Sequence, residues 1–88
     1  MPDPGPGPGT LTETQAREAV AAALLRIVPD ADLEEIGDDG VLRSELELDS
    51  LDFLSFVEQL SSTTHVRIDE DDYPQLRTMR TSIAFLTR

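Results

Sequence analysis

The chain has 88 residues, enough for one small domain with a modest core. Its 18 acidic residues stand against seven basic ones, all arginine, and the formal net charge of −11 argues against nucleic-acid binding because phosphates would be repelled. The absence of cysteine excludes disulfides, thiol catalysis and cysteine-based zinc sites, and it fits a reducing cytoplasm. No apolar run reaches the roughly 18 residues that a membrane span needs.

Residues 1–9 consist largely of alternating proline and glycine and contain almost nothing to bury. Such a segment predicts a disordered tail, with the domain itself over residues 10–88. The segment has neither the basic region nor the apolar region of a secretory signal peptide, so no signal peptide is expected.

The first helix is predicted to begin at one of two overlapping capping boxes, TLTE from Thr10 or TETQ from Thr12. Its larger apolar residues follow at the spacing of one helix face: Val20, Leu24 and Ile27. Pro29 is predicted to end the helix, because proline has no amide hydrogen and clashes with the preceding turn.

Residues 30–49 form a long acidic connector that is interrupted by two glycines. Its branched apolar residues predict that it packs on the domain and contains a short turn of helix: Leu33, Ile36, Leu42, Leu46 and Leu48. The stretch DADLE resembles the start of a calcium-binding loop, but Glu35 and Val41 stand where an EF-hand needs glycine and glutamate. No metal site is predicted.

The stretch LELDSLDFLSFVEQL, residues 46–60, has the clearest helical pattern in the chain. The second helix is predicted over residues 50–60, with its buried stripe at i, i+3, i+4 and i+7: Phe53, Phe56, Val57 and Leu60. Asp49 or Ser50 can cap this helix, and Asp49 and Asp52 complement its dipole.

Leu51 and Leu54 lie off the buried stripe, on the outward side that Ser50 shares, and Glu58 extends that side by one turn. An exposed apolar strip edged with acids is typical of a docking surface for another protein. Positions 30 to 58 contain eleven acids and one base, a net of −10, whereas positions 77 to 88 have a net charge of +3. Such a field steers basic partners, although an acidic surface also serves solubility alone.

After a polar connector, Asp69 is predicted to cap a single short turn that runs through Tyr73 and is ended by Pro74. Thr78 is predicted to cap the last helix, whose inner face carries Met79, Ile83 and Leu86. The chain is therefore predicted to be all-α: a small four-helix bundle with a long loop between its first two helices and a short third helix. No segment has the two-residue period of a strand.

Ser50 is not expected to be a nucleophile of the protein's own. Serine hydrolysis needs a general base within hydrogen-bond reach, and the one histidine, His65, lies past the far end of a helix roughly 15 Å long. The G-x-S-x-G pattern of a nucleophile elbow is also absent around Ser50. We therefore predict no catalytic residue, and His65 is interpreted as an exposed loop residue.

The serine and its neighbours resemble the signature of the acyl carrier proteins, in which an Asp-Ser-Leu triplet opens the second helix. The resemblance covers about residues 10–88. It includes the long loop before the serine, the I-x-[DE] entry to a short third helix at residues 68–70, and Thr78 at the start of the last helix. The triplet alone is weak evidence, but the triplet, helix pattern, acidic balance and length together are specific.

This resemblance implies that Ser50 is the attachment site of 4′-phosphopantetheine, which a separate phosphopantetheinyl transferase takes from coenzyme A. Cargo is then held as a thioester on the arm and presented to acyl-loading and acyl-processing enzymes with basic docking patches. The residues expected to contact these partners are Asp49, Leu51, Asp52, Leu54 and Glu58. The expected protein is a cytoplasmic, monomeric, stand-alone carrier, and not an enzyme.

The cargo is less closely defined by the sequence. The stretch Leu-Asp-Ser-Leu favours an acyl carrier of fatty-acid or polyketide synthesis over an aminoacyl or peptidyl carrier, which tends to have Gly-Gly-x-Ser. Many fatty-acid carriers have a small residue beside the cavity that holds the acyl chain, where this chain has Tyr73. Phe53 is also bulky, and a crowded cavity favours short or polar cargo. The alternative from another class of protein is an acidic adaptor that carries no prosthetic group and binds basic helices.

Overall fold

Helices make up all the regular secondary structure of residues 11–87, the part of the chain that the computed structural model describes. In chain order they are α1 (Glu13–Ile27), α2 (Leu33–Ile36), α3 (Leu42–Glu45), α4 (Ser50–Thr64), a 3₁₀ helix (Glu70–Leu76) and α5 (Met79–Leu86). The predicted all-α fold of carrier type is confirmed. The predicted tail, residues 1–9, lies outside the described residues.

The second of the two predicted capping boxes starts α1. The Gln15 amide donates to Thr12 Oγ1 at 3.0 Å, and the Thr12 amide donates to Gln15 Oε1 at 3.0 Å. Each side-chain oxygen accepts a hydrogen bond from a backbone amide that the start of a helix leaves without an intrahelical partner. The helix ends at Ile27, ahead of Pro29, as predicted.

One hydrophobic core lies where α1, α4 and α5 pack together. The predicted stripe of α4 is buried in it, and Phe56 and Leu60 are completely inaccessible to solvent. The predicted inner face of α5 is buried as well. The largest side chains with under 2% exposure include Phe56, Phe85, Leu24, Leu60 and Leu86.

The structure extends α4 one turn beyond the predicted end at residue 60, to Thr64. Side chains of the polar segment account for the difference, because the Thr64 hydroxyl donates to the Leu60 carbonyl at 2.8 Å and the Ser61 hydroxyl to the Val66 carbonyl at 2.8 Å. His65 then ends the helix in the left-handed conformation, with φ of 58°.

The prediction that Pro74 ends the third helix is wrong. This helix is of the 3₁₀ type and continues through Pro74 to Leu76, whose side chain is completely buried. The fixed φ of proline is compatible with 3₁₀ geometry, and the missing amide removes only one of its hydrogen bonds. The predicted role of Asp69 as the cap is confirmed.

The acidic connector between α1 and α4 contains two short helices, α2 and α3, where the sequence predicts one short turn. Leu42 and Leu48 of the connector are buried in the core, and ion pairs at the surface add to this contact. Arg17 of α1 makes a bidentate contact with Asp38 at 2.8 and 2.9 Å. Arg80 of α5 makes another with Asp39 at 2.7 and 3.1 Å. These contacts keep the chain that leads into α4 on the surface of the bundle.

These ion pairs make the docking of the connector dependent on pH. The hydrogen bond from Arg17 lowers the pKa of Asp38, and that from Arg80 lowers the pKa of Asp39. Because the folded-state pKa of each carboxyl lies below its unfolded value, the pairs stabilise the fold above the ordinary aspartate pKa. That contribution is lost as the pH falls through the lowered folded values.

We expect the double variant Asp38→Asn/Asp39→Asn to melt at a slightly lower temperature than the wild type at pH 7, by a few degrees at most, since exposed pairs contribute little. The difference should shrink as the pH falls through the lowered folded-state pKa values of the two carboxyls, where the wild type also loses these pairs. Glu34→Gln is the control, because it removes a charge from the same connector without breaking an ion pair. A difference that does not change as the pH is lowered through the acid range would contradict the assignment.

Candidate functional site

A strained turn places the start of α4 at the surface. Glu47 has φ of 54°, the left-handed region that a residue other than glycine rarely occupies. Leu48, the next residue, holds this turn in place. Its amide donates to the Arg43 carbonyl at 2.9 Å, and its side chain is buried. Burial of Leu48 therefore anchors the chain immediately before Asp49 and Ser50.

Asp49 caps α4, which decides between the two caps that the sequence allows. Its backbone is extended, and its Oδ1 accepts a hydrogen bond from the Asp52 amide at 2.8 Å. Ser50 is therefore the first residue of the helix and is exposed. Within residues 11–87, no group forms a hydrogen bond with the Ser50 hydroxyl, so capping leaves this hydroxyl available for reaction.

The start of α4 suits a negatively charged substituent on Ser50 in one respect, and no histidine of the described residues lies beside it. The N-terminus of a 15-residue helix has a favourable dipole for an anion, although Asp49 already occupies part of that field. His65 is the cap at the opposite end of α4, a helix about 22 Å long at 1.5 Å per residue. This geometry leaves an exposed serine hydroxyl at the start of α4.

The outward face of α4 is as the sequence predicts. Leu51 is 74% exposed and Leu54 is 42% exposed, while Glu58 is exposed one turn further along. Asp49 is exposed and Asp52 is half-buried. In the described part of the chain, the only other exposed large hydrophobic side chain is Leu25, on α1, at 38%. The exposed leucines are therefore concentrated in the first two turns that follow Ser50.

Two clefts flank the contact between α4 and the 3₁₀ helix, and Tyr73 lines both. The docking groove, of about 510 Å³, is lined by Leu54, Val57, Glu58, Ser61, Ser62, Ile68 and Tyr73. The arginine cleft, of about 360 Å³, is lined by Val41, Arg43, Phe53, Tyr73, Pro74, Leu76 and Arg77. The ring of Tyr73 packs edge-on against Phe53, with 5.3 Å between ring centres. Tyr73 is therefore shared by the two clefts, whereas Phe53 lines only the arginine cleft.

Sequence reasoning missed Arg43 and Arg77 as cleft residues. It identified Phe53 and Tyr73 as bulky residues beside the expected acyl cavity, but it used the two arginines only in the count of charges. The guanidinium of Arg43 lies 5.0 Å from the ring centre of Phe53. The sequence gives no signal for this pairing, because it depends on how the connector docks against α4.

Residues 11–87 contain no group of three or more side chains placed to bind a metal ion. Over the same residues, no helix is both long and apolar enough to cross a membrane.

A family model described as a phosphopantetheine attachment site matches residues 17–86. The match covers the connector, the turn before α4, the whole outward face and both clefts. The chain therefore belongs to the phosphopantetheine-binding carrier family, whose domains hold 4′-phosphopantetheine covalently and interact with a phosphopantetheinyl transferase and with partner enzymes. No curated protein and no solved structure matches the chain.

Proposed function

We propose that Ser50 is the residue to which 4′-phosphopantetheine is attached, and that the protein carries acyl intermediates for fatty-acid, polyketide or related synthesis. The observation that carries this proposal is the exposed hydroxyl at the first position of α4, free of any capping hydrogen bond, inside the range that the family model matches. The Asp-Ser-Leu triplet supports the same residue.

Modification requires a base, and we assign this role to the transferase because no histidine of the described residues lies near Ser50. The Ser50 oxygen forms a phosphoester bond and loses its proton to a base of the transferase, as the diphosphate bond of coenzyme A breaks and adenosine 3′,5′-bisphosphate leaves. When bound, the prosthetic group supplies a terminal thiol that holds cargo as a thioester. The domain itself contributes the exposed hydroxyl, the fixed helix end and a surface for partners, and it performs no catalysis.

The proposed docking surface consists of Asp49, Leu51, Asp52, Leu54 and Glu58. Leu51 and Leu54 offer apolar area beside Ser50, and the docking groove continues past Leu54 along α4. The carboxylates around them favour partners with basic patches. A surface with an apolar centre and a charged rim is the usual anatomy of a protein–protein interface.

Two other functions remain to be separated from this one. An aminoacyl or peptidyl carrier would use the same serine, and Leu-Asp-Ser-Leu favours the acyl type. An unmodified acidic adaptor would use the same face of α4 without any prosthetic group.

Intact mass after incubation with coenzyme A and a broad-specificity phosphopantetheinyl transferase tests the proposal. We expect a gain of one phosphopantetheine per chain, whereas an adaptor would gain none. The modified protein is then offered to an acyltransferase with acyl coenzyme A and, separately, to an amino-acid-activating enzyme with ATP and an amino acid. Loading only by the latter would contradict the acyl assignment.

We expect Glu58→Lys to slow association with the transferase, because it places a positive charge on a face that attracts basic partners. Added salt should shrink the difference from the wild type, since ions screen exposed charges. The measurement is the initial rate of modification at low and moderate ionic strength. Glu18→Lys, an equal charge change at an exposed position of α1, is the control. An effect of Glu58→Lys that salt leaves unchanged would indicate a packing contact instead of steering.

A further inference from the structure

Two arginines without ion pairs line the same apolar cleft. Among the described residues, Arg17, Arg67 and Arg80 pair with aspartates, while Arg43 and Arg77 form no ion pair. Both line the arginine cleft, and no acidic residue lines it. In a chain with a net charge of −11, this cleft is therefore a local site that favours an anion.

The structure places the Arg43 side chain and the Arg77 backbone at the cleft through one contact each. The Arg43 guanidinium lies over the Phe53 ring, at 5.0 Å from its centre, in a cation–π contact. The Arg77 carbonyl accepts a hydrogen bond from the Leu42 amide at 2.9 Å, which joins the start of α3 to the segment before α5. Arg43 directly follows Leu42, so this bond ties together the two chain segments that carry the arginines.

The remaining lining of the arginine cleft is mainly apolar. Val41, Phe53, Pro74 and Leu76 supply carbon surface, and Tyr73 lines both this cleft and the docking groove. The volume of about 360 Å³ is at the lower end of the roughly 300–1,000 Å³ range of small-molecule sites. A cleft with carbon walls and two guanidinium groups suits a short apolar chain with an anionic end.

The arginine cleft lies at the Ser50 end of α4. Phe53 follows Ser50 by three residues, which is about 4.5 Å along the helix axis. A group tethered to Ser50 by a flexible arm is therefore held close to this cleft at a high effective concentration.

We propose that the arginine cleft receives a short acyl cargo that ends in a carboxylate, with Arg43 and Arg77 binding that carboxylate and the apolar lining covering the chain. This inference rests on the proposed attachment at Ser50 and adds the class of cargo. A carboxylate suits the site because guanidinium groups bind it with charge-assisted hydrogen bonds, while its carbon chain replaces water on the apolar walls.

Matched cargoes test this inference. The transferase loads the protein with succinyl or butyryl coenzyme A, which supply four-carbon acyl chains with and without a terminal carboxylate, and hydroxylamine then cleaves the thioester. We expect the succinyl form to be cleaved about tenfold more slowly than the butyryl form, relative to the two coenzyme A thioesters free in solution, since charge-assisted hydrogen bonds of modest strength support that ratio. Arg43→Gln and Arg77→Gln should each remove most of the difference.

Arg26→Gln is the control, because Arg26 is exposed on α1 and also has no ion pair among the described residues. It should retain the difference between the cargoes. Arg77→Gln leaves the Arg43–Phe53 contact in place, so it tests the site even if Arg43→Gln perturbs the fold. Equal protection of the two cargoes in the wild type, or protection that survives both arginine variants, would overturn the inference.

The phosphate of the prosthetic group is the other anion that these arginines could bind. Side-chain Nε–H signals of Arg43 and Arg77 in ¹⁵N correlation spectra separate the two sources. We expect these signals to shift on succinyl loading and to stay unchanged in the unloaded, phosphopantetheinylated form. A full shift without cargo would assign the site to the phosphate and overturn the inference. Failure of loading itself, seen as no gain in mass, would instead refute attachment at Ser50.

Discussion

Ser50→Ala should give a folded helical domain that takes up no phosphopantetheine. The expected change in the free energy of unfolding is within about 0.5 kcal/mol, because alanine is well tolerated in a helix and Asp49, which caps α4, is untouched. A thermal melt measures the first effect, and intact mass after incubation with the transferase and coenzyme A measures the second.

Ser55→Ala is the matched control, since Ser55 is an exposed serine of the same helix. It should be modified at the rate of the wild type. Uptake of the prosthetic group by the Ser50→Ala protein would place the attachment site at another residue, and the proposed function would then lose its main support.

The second prediction with a large expected effect distinguishes the buried face of α4 from its exposed face. Phe56 is completely buried, so Phe56→Ala should lower the free energy of unfolding by roughly 3–5 kcal/mol through the cavity that it leaves. That is a large share of the roughly 5–15 kcal/mol that stabilises a typical domain. Leu54 lies only two residues away but is 42% exposed, so Leu54→Asp should change stability little.

Leu54→Asp should nevertheless slow modification by about tenfold or more, the loss expected when a charge enters the apolar centre of an interface. Melts and modification rates of both variants, measured side by side, provide the comparison. Unfolding of the Leu54→Asp protein together with a stable Phe56→Ala protein would contradict the assignment of the two faces. Normal modification of a folded Leu54→Asp protein would remove Leu54 from the docking surface.

Local patterns predicted the parts of the structure that local physics determines. The stripe from Phe53 to Leu60 follows from helical periodicity, and Thr12 and Thr78 cap their helices as their neighbours in sequence indicate. The exposure of Leu51 and Leu54 follows from the same periodicity, since a helix with one face in the core presents the other to solvent.

The features that the sequence did not predict depend on hydrogen bonds and on tertiary contacts. The extra turn of α4 depends on the Thr64 hydroxyl reaching back to the Leu60 carbonyl, and the continuation past Pro74 depends on 3₁₀ geometry. The pairing of Arg43 with Phe53 requires the connector to dock first. Periodicity contains no information about such contacts between distant segments.

The docking of the connector also has a consequence for the order of folding. Its ion pairs join residues 21 and 41 positions apart, and closing such loops has an entropic cost that exposed pairs offset only weakly. We therefore expect the connector to form late in folding and to open locally while α1, α4 and α5 stay packed. Val41 and Arg43 belong to this segment and flank Leu42, which is buried in the core, so one wall of the arginine cleft opens when Leu42 leaves the core together with the connector.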